Sequence, residues 1–340
     1  MKIDWQKLVE SYATVVPTVK QSISPTYPWR KFNCADELNT PTFNFSKFEN
    51  LHVARYWSIQ MDIAADLALF RAERDALAFL GLLSSLYLRF DPPIGGGDTA
   101  QPTHFQGLNI HALMIDNADG EVLALEHNQI HAHQSPVEHA EQRALRMAIA
   151  RIGAKRPRPP ATTVEDYYRT QMFYDDGAED ADFLERGATI YTSLEPCPMC
   201  ATTILVCRVK RTVFLLQDTT YGGVWVSAKD QYYKKYDLRY GQLNLSDASS
   251  PFISRVRDVH QTMSKKVERV RKHKVIDTLI FDHLIEDLQT AFKLFCQLSP
   301  DDLATQGDHN KTNRRTLEDI KRMYNIPAVP PEIGAEIQFR

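Results

Sequence analysis

The stretch ATIYTSLEPCPMCATTILVCR, residues 188–208, decides the fold. Residues 188–195 alternate and are rich in β-branched side chains, so they read as a strand. PCPMCATTILVCR follows at once and reads as a helix opened by proline. Proline suits a first helical turn, because the N–H it lacks would have no intrahelical partner there.

Working outward, LNIHALMIDNADGEVLALEHN (108–128) places two apolar runs around Asn117-Ala118-Asp119-Gly120, the pattern of a hairpin with a turn glycine. HAEQRALRMAIARIG (139–153) carries Leu145, Ala148 and Ile152 and stops at a glycine, the pattern of a helix. RTVFLLQD (211–218) reads as a further strand. The order strand, strand, helix, strand, helix, strand predicts an α/β architecture.

The flanks read as helical. YWSIQMDIAADLALFRAERDALAFLGLLSSLYLRF (56–90) repeats apolar residues at helical spacing. Its apolar part, 76–90, is too short to span a bilayer and follows Arg71, Glu73, Arg74 and Asp75, so a buried helix is expected. DPPIGGGDTAQPTHF (91–105) is expected to be a linker, because no Gly-Lys-Ser or Gly-Lys-Thr ends it as a phosphate loop would. The polar stretch 156–187, Pro-rich at its start, is expected to be an insertion or lid. Beyond residue 220 the sequence predicts a basic helix at 253–274, an amphipathic helix at 277–298 and a short helix at 316–327. The expected division is a mostly helical extension (1–100), a core (101–250) and a mostly helical C-terminal region (251–340).

Composition narrows the function classes. Hydrophobic residues make up 43% and charged residues 24%, which is globular rather than disordered. Lys and Arg number 40 against 43 Asp and Glu, so overall charge gives no argument for nucleic acid, although local basic patches remain open. MKIDWQKLVESYA at the N-terminus lacks a secretory pattern, and a soluble, cytoplasmic protein without membrane contact is expected. Cys34, Cys197, Cys200, Cys207 and Cys296 are too few, and odd in number, for a disulfide scaffold.

The pair Cys197 and Cys200 is informative. At i and i+3 in a first helical turn both sulfurs share a face, and the helix N-terminus favours thiolates. Alone, Cys-x-x-Cys also marks redox motifs. A second candidate ligand, His139, opens another helix of the same unit. One imidazole and two thiolates make a soft three-donor set suited to one zinc ion per chain, with a fourth position left for water as in catalytic sites. Such a site needs a proton carrier. Glu141 can line the pocket from the first turn, although a glutamate there is also an ordinary helix-dipole residue.

His139-Ala140-Glu141 followed by Pro196-Cys197-Pro198-Met199-Cys200 resembles the signature of the zinc-dependent nucleobase deaminases, the cytidine and deoxycytidylate deaminase superfamily. DNADGEVLALEHN, PVEHAEQRAL and IYTSLEPCPMCATTILVCRVKRTVF extend the resemblance over 108–218, about a third of the chain. They are more similar to the bacterial tRNA adenosine deaminase type than to the cytidine type. The resemblance implies a three-layer α/β deaminase fold, a mixed sheet with helices on both faces, joined here by the helical additions. It implies that His139, Cys197 and Cys200 bind zinc and that Glu141 is the catalytic proton shuttle. It also implies that Asn128 hydrogen-bonds the target base and that the Ala140 backbone N–H faces it. Without the resemblance, Asn128 reads equally well as a turn residue.

The function implied is hydrolytic deamination of adenine or cytosine, unpaired within RNA or single-stranded DNA, to the keto form with release of ammonia, by a protein expected to be a homodimer. EPCPMC is also similar to the small guanine deaminases. A deaminase of a free base, nucleoside or nucleotide (guanine, cytidine or dCMP type) is therefore the alternative. From another class, the chain could be a nucleic-acid-binding module whose zinc only holds the fold.

Other features read more plainly. His131 and His133 are expected at the pocket rim or in solvent, and Cys207 as a small buried side chain. The runs RVKR (208–211) and SKKVERVRKHK (264–274) could bind a phosphate backbone or be solvated faces. TTYGGVWVSAKDQYYKKYDLRY (219–240) interleaves aromatic and basic residues, as an unpaired strand would require, and equally as a pocket rim or dimer contact would.

Overall fold

The computed structural model describes residues 51–90, 108–155, 187–207, 209–222, 239–245 and 250–326. The expected helices before residue 51, the linker at 91–105, nearly all of the insertion at 156–187 and most of the aromatic stretch 219–240 lie outside these residues. The chain divides into two compact units, Met1–Met61 and Asp62–Arg340. Apart from the first eleven residues of the helix that begins at Leu51, the features below belong to the second.

The elements run α1 (Leu51–Phe90), β1 (His111–Asp116), β2 (Val122–His127), α2 (Ala140–Lys155), β3 (Ala188–Leu194), α3 (Pro198–Val206), β4 (Arg211–Leu216), β5 (Arg239–Gln242), α4 (Pro251–Lys272), α5 (Ile285–Gln297) and α6 (Gly307–Met323). The strands form one mixed sheet in the order β2-β1-β3-β4-β5. β1 pairs antiparallel with β2 and with β3, whereas β3, β4 and β5 run parallel. A parallel pair needs a crossover, and α3 supplies the one between β3 and β4. The result is a mixed α/β architecture. No described helix is long and apolar enough to cross a membrane.

The hairpin forms where the turn residues predict it. The Asp116 carboxylate accepts a hydrogen bond from the Ala118 backbone N–H, and Asp119 accepts one from Glu121, so the side chains brace the turn. Gly120 has φ 75°, the left-handed region, and a Cβ there would lie 2.1 Å from the Thr312 carbonyl oxygen of α6. Gly120→Ala is expected to destabilise the fold by at least about 1–3 kcal/mol. Urea unfolding should show a lower midpoint at unchanged slope.

Burial explains the strand sequences. All of β1 and β3 is buried, which continuous apolar runs such as ALMI achieve without alternation. Tyr191 on β3 and Arg211 on β4 reach Asp75 of α1, which places α1 on their face of the sheet. Leu77, Phe79, Leu80, Leu83 and Leu86 of α1 join Leu113, Ile190 and Val213 of the sheet in one core, with Phe252, Phe281, Phe295 and Ile320 of the C-terminal region. The apolar run of α1 is thus a buried helix. Glu73 ties α1 to the C-terminal region: its buried carboxylate accepts from the Ala304 and Thr305 backbone N–H groups, the Thr305 hydroxyl (2.6 Å) and the Asn313 amide (3.3 Å).

Two sequence expectations need correction. Residues 277–298 are not one helix: a 3₁₀ segment, Asp277–His283, precedes α5 and the two meet at Leu284. The tighter winding stacks positions i and i+3, so Asp277 and Ile280 are buried on one side. The helix expected at 316–327 begins earlier, at Gly307. Its opening turns bury Asn313 and Thr316, polar side chains bonded to the Phe70 and Gly120 carbonyls, and therefore show no hydrophobic period.

Candidate active site and metal centre

Two helix N-termini converge on one spot. Cys197 is the N-cap of α3, with extended backbone (φ −65°, ψ 166°) and no side-chain cap bond, and Pro198 opens the first turn. Its thiol is therefore free for other partners. Cys200 follows one turn later and is fully buried. His139 directly precedes Ala140, the first residue of α2. Its Nδ1 lies 3.6 Å from the Cys197 Sγ and 3.5 Å from the Cys200 Sγ. Among the described residues, these three form the group of potential ligand atoms that lie within 4.8 Å of one another. The Gln142 amide donates to the Thr203 hydroxyl at 2.9 Å and so bridges α2 and α3 just behind the cluster.

The electrostatics match that geometry. The Cys200 thiol hydrogen-bonds the Cys197 sulfur and, against the cost of burial and with help from His139, brings the Cys197 thiol down to about 4. His139 is raised, chiefly by its bond to Cys197. Cys200 is pushed up by holding that proton and by burial. These contacts favour a thiolate at Cys197, the form that a cation binds.

Glu141 is 3% exposed and its Oε2 has no hydrogen-bond partner. Burial pushes its carboxyl up to about 7, partly offset by its own backbone N–H and by His139. A carboxylate near that value exchanges protons readily at neutral pH. Asn128 is buried just past β2. Its N–H donates to the Ile110 carbonyl and its Oδ1 accepts from Ile130, whereas Nδ2 is buried without a partner. The Gln129 N–H donates to the Glu138 carbonyl (2.9 Å), which joins the end of the hairpin to the residue before His139. Ala140 is fully buried.

The structure therefore brings His139, Cys197, Cys200 and Glu141 together and ties the segment carrying Asn128 beside them. His131 and His133 are exposed, and His133 bonds Gln129 at 2.6 Å. Cys207 caps the far end of α3. Sequence reasoning did not single out Gln142, Thr203 or Glu195. Glu195 precedes Pro196, is buried, and accepts from the Asp218 N–H (3.3 Å) and the Tyr240 hydroxyl (3.2 Å). A carboxylate ending a fully buried strand must find donors, and that was the available signal.

Residues 98–216 match the family model described as the cytidine and deoxycytidylate deaminase zinc-binding region. The tRNA-specific adenosine deaminase of Aquifex aeolicus (strain VF5) is 26% identical over 106 residues, 31% of this chain and 52% of that protein. That of Bacillus subtilis (strain 168) is 31% identical over 105 residues, 31% of this chain and 47% of that protein. The chain spans about half the length of these curated relatives. Among solved structures, one from work on tRNA:A34 deaminases in A-to-I editing at the wobble position is 25% identical. It covers 39% of this chain and 77% of that one, with a TM-score of 0.27. A guanine deaminase from Bacillus subtilis is 22% identical over 36% of this chain and 62% of that one, with a TM-score of 0.24. The matched region thus resembles the cytidine and deoxycytidylate deaminases and, among them, the tRNA adenosine deaminases.

Proposed function

We propose that this chain is a zinc-dependent hydrolytic deaminase that acts on an adenine or cytosine unpaired within RNA or single-stranded DNA. The observation that carries the reading is the convergence of three soft donors beside a buried carboxylate. Tetrahedral zinc holds sulfur at about 2.3 Å and imidazole nitrogen at about 2.0–2.1 Å, which separates two such ligands by about 3.5 Å. The His139–Cys200 and His139–Cys197 separations are 3.5 and 3.6 Å. The donor set therefore fits one zinc ion, held by His139 Nδ1 and the Cys197 and Cys200 sulfurs. Bound there, zinc supplies a Lewis acid that lowers the pKa of water toward roughly 7.

The chain's own residues handle protons and position. Glu141 takes one proton from the attacking water and delivers it to the ring nitrogen beside the reacting carbon. It then moves the second proton to the amino group, so that ammonia leaves and the carbon retains the oxygen. Asn128 Nδ2 and the Ala140 N–H are the groups assigned to hold the base. The similarity to tRNA-specific adenosine deaminases supports a base within a nucleic acid. In the same reading the chain is cytoplasmic and dimeric, and residues 1–100 and 251–340 are additions to the 101–250 core that supply substrate choice or oligomer contacts.

Ammonia release across free bases, nucleotides and single-stranded oligonucleotides tests the proposal. Product on oligonucleotides is expected. Turnover of guanine or dCMP alone would replace the substrate assignment, and no ammonia from any of them would leave a zinc-held binding module. The ligand set has its own check. Cys200→Ser is expected to lower bound zinc from one per chain to well below one by elemental analysis. Full zinc in that variant would discard Cys200 as a ligand.

A further inference from the structure

We propose that the C-terminal end of α4 and the turn after β4 together form a docking surface for the single-stranded nucleic acid that flanks the target base. This rests on the deaminase reading above and adds a place and a set of residues to it.

The two segments are fastened to each other. Arg271 in the last turn of α4 donates from Nη2 to the Gln217 carbonyl and from Nε to Asp277 at 2.8 Å. Asp277 in turn accepts from the Thr219 backbone N–H and hydroxyl, both at 2.5 Å. The turn is also tied to the metal centre. The Glu195 N–H donates to the Leu216 carbonyl (2.8 Å), and the Glu195 carboxylate accepts from Asp218. Glu195 lies two residues before Cys197, so the end of α4 connects to the ligand helix through a few fixed backbone groups.

What the fastened segments leave outside is cationic and aromatic. Lys265, Arg269, Lys272, His273 and Lys274 are exposed. Lys265, Arg269 and Lys272 follow at helical spacings of four and three, so they share one face. Lys274 has φ 59° and ends the helix beside them. The other two cations of this run are occupied: Lys266 pairs with Asp287 at 2.8 Å and Arg271 with Asp277. For Lys265, Arg269, Lys272 and Lys274 no ion pair is formed among the described residues. Glu268 is the acid inside the run. Cations in a last helical turn ordinarily offset the helix dipole, but that effect reaches only the last turn, whereas Lys265 stands two turns from the end.

Tyr221 belongs to the turn that the clamp holds. Its backbone N–H donates to Asp218 at 2.9 Å, which holds the turn, and its side chain is 59% exposed. It lies two residues beyond Thr219, within about 7 Å of it by chain reach. An exposed aromatic ring in the turn to which the end of a cationic helix is fastened offers what an unpaired strand requires: a face on which a base stacks and charges that neutralise phosphates. A duplex would shield the bases from both the ring and the metal centre.

The test measures binding of a fluorescein-labelled single-stranded RNA of about 15 nucleotides to the full chain, with a DNA strand of the same sequence as a second arm. Charge reversal in R269E/K272E/K274E is expected to weaken Kd at least about tenfold and to reduce the slope of log K against log salt by about 2. Tyr221→Ala is expected to weaken binding about tenfold with the salt slope retained. The gentler pair K272Q/K274Q, which introduces no new repulsion, should reduce the slope by about 1.4. Lys311→Glu on α6, which packs at the opposite sheet edge, is the control and should bind as the parent does. Parental affinity and slope in the triple variant, or an equal loss in Lys311→Glu, would overturn the surface. Binding is read without turnover, so the two readings fail separately. A chain that binds RNA through these residues but releases no ammonia keeps the surface and loses the deaminase. A chain that deaminates RNA yet ignores the charge reversals keeps the deaminase and loses the surface.

Discussion

Glu141→Ala is expected to abolish ammonia release, by at least about 10²–10⁴-fold in kcat, while bound zinc stays at one per chain. The carboxylate is buried, belongs to none of the three donors that converge, and retains one oxygen without a partner. Such an atom costs stability unless something else uses it. Proton transfer is the use proposed for it: burial pushes the carboxyl up to about 7, where it can both accept and return a proton near neutrality. Glu141→Gln sharpens the experiment, because it retains shape and hydrogen bonding but cannot carry a proton. It should be as inactive as the alanine variant. Retained turnover in Glu141→Gln would show that the residue only shapes the pocket. Loss of zinc in either variant would show that it belongs to the metal shell.

Asp75→Ala is expected to remove about 3–5 kcal/mol of stability, the largest effect expected of any single substitution outside the metal centre. Asp75 is buried, and its two oxygens take two parallel hydrogen bonds from Arg211, both at 2.6 Å, plus one from the Tyr191 hydroxyl at 2.8 Å. Arg74 is buried alongside. Its guanidinium sits 4.3 Å from the Phe70 ring, and its Nε and Nη2 have no partner. Burial lowers Arg74, whereas the Asp75 carboxylate holds Arg211 well above its ordinary value despite burial. Removing Asp75 takes away the anion that pairs with Arg211 and leaves two buried cations and a phenol between helix and sheet, with Asp116 as the remaining carboxylate acting on Arg74. Chemical denaturation should show a lower midpoint at constant slope. The double variant D75L/R211M should regain part of the loss, because an apolar pair of similar volume avoids the uncompensated charge. A single-variant loss below about 1 kcal/mol would mean that water reaches the pair and screens it.

The central part of the fold was legible because its signals are local. The hairpin turn, the glycine at 120 and the proline that opens α3 each follow from the backbone needs of a few neighbouring residues. β5 is not legible in the sequence: its first two residues close the aromatic and basic stretch 219–240, and its strand character comes from pairing with β4, a long-range cause. The early turns of α6 were missed for a related reason. Their buried side chains are polar, and only Glu73 and the carbonyls of distant segments make that burial possible.

By itself the sequence determined which residues can carry the chemistry. A histidine, two cysteines at i and i+3 and a glutamate at helix starts narrow the options to a soft metal and a proton carrier, since few side chains offer those donors. What only the tertiary structure decided is that they meet. His139 and Cys197 are 58 residues apart in the chain, and their 3.6 Å approach depends on β1 and β3 being neighbours in the sheet. The structure likewise decided that Asp75 answers Arg211 across 136 residues and that the end of α4 is fastened to the turn after β4. Helix and strand propensities act over a few residues, whereas charge pairing and burial act across the fold, so the second kind of fact becomes visible only once the chain is folded.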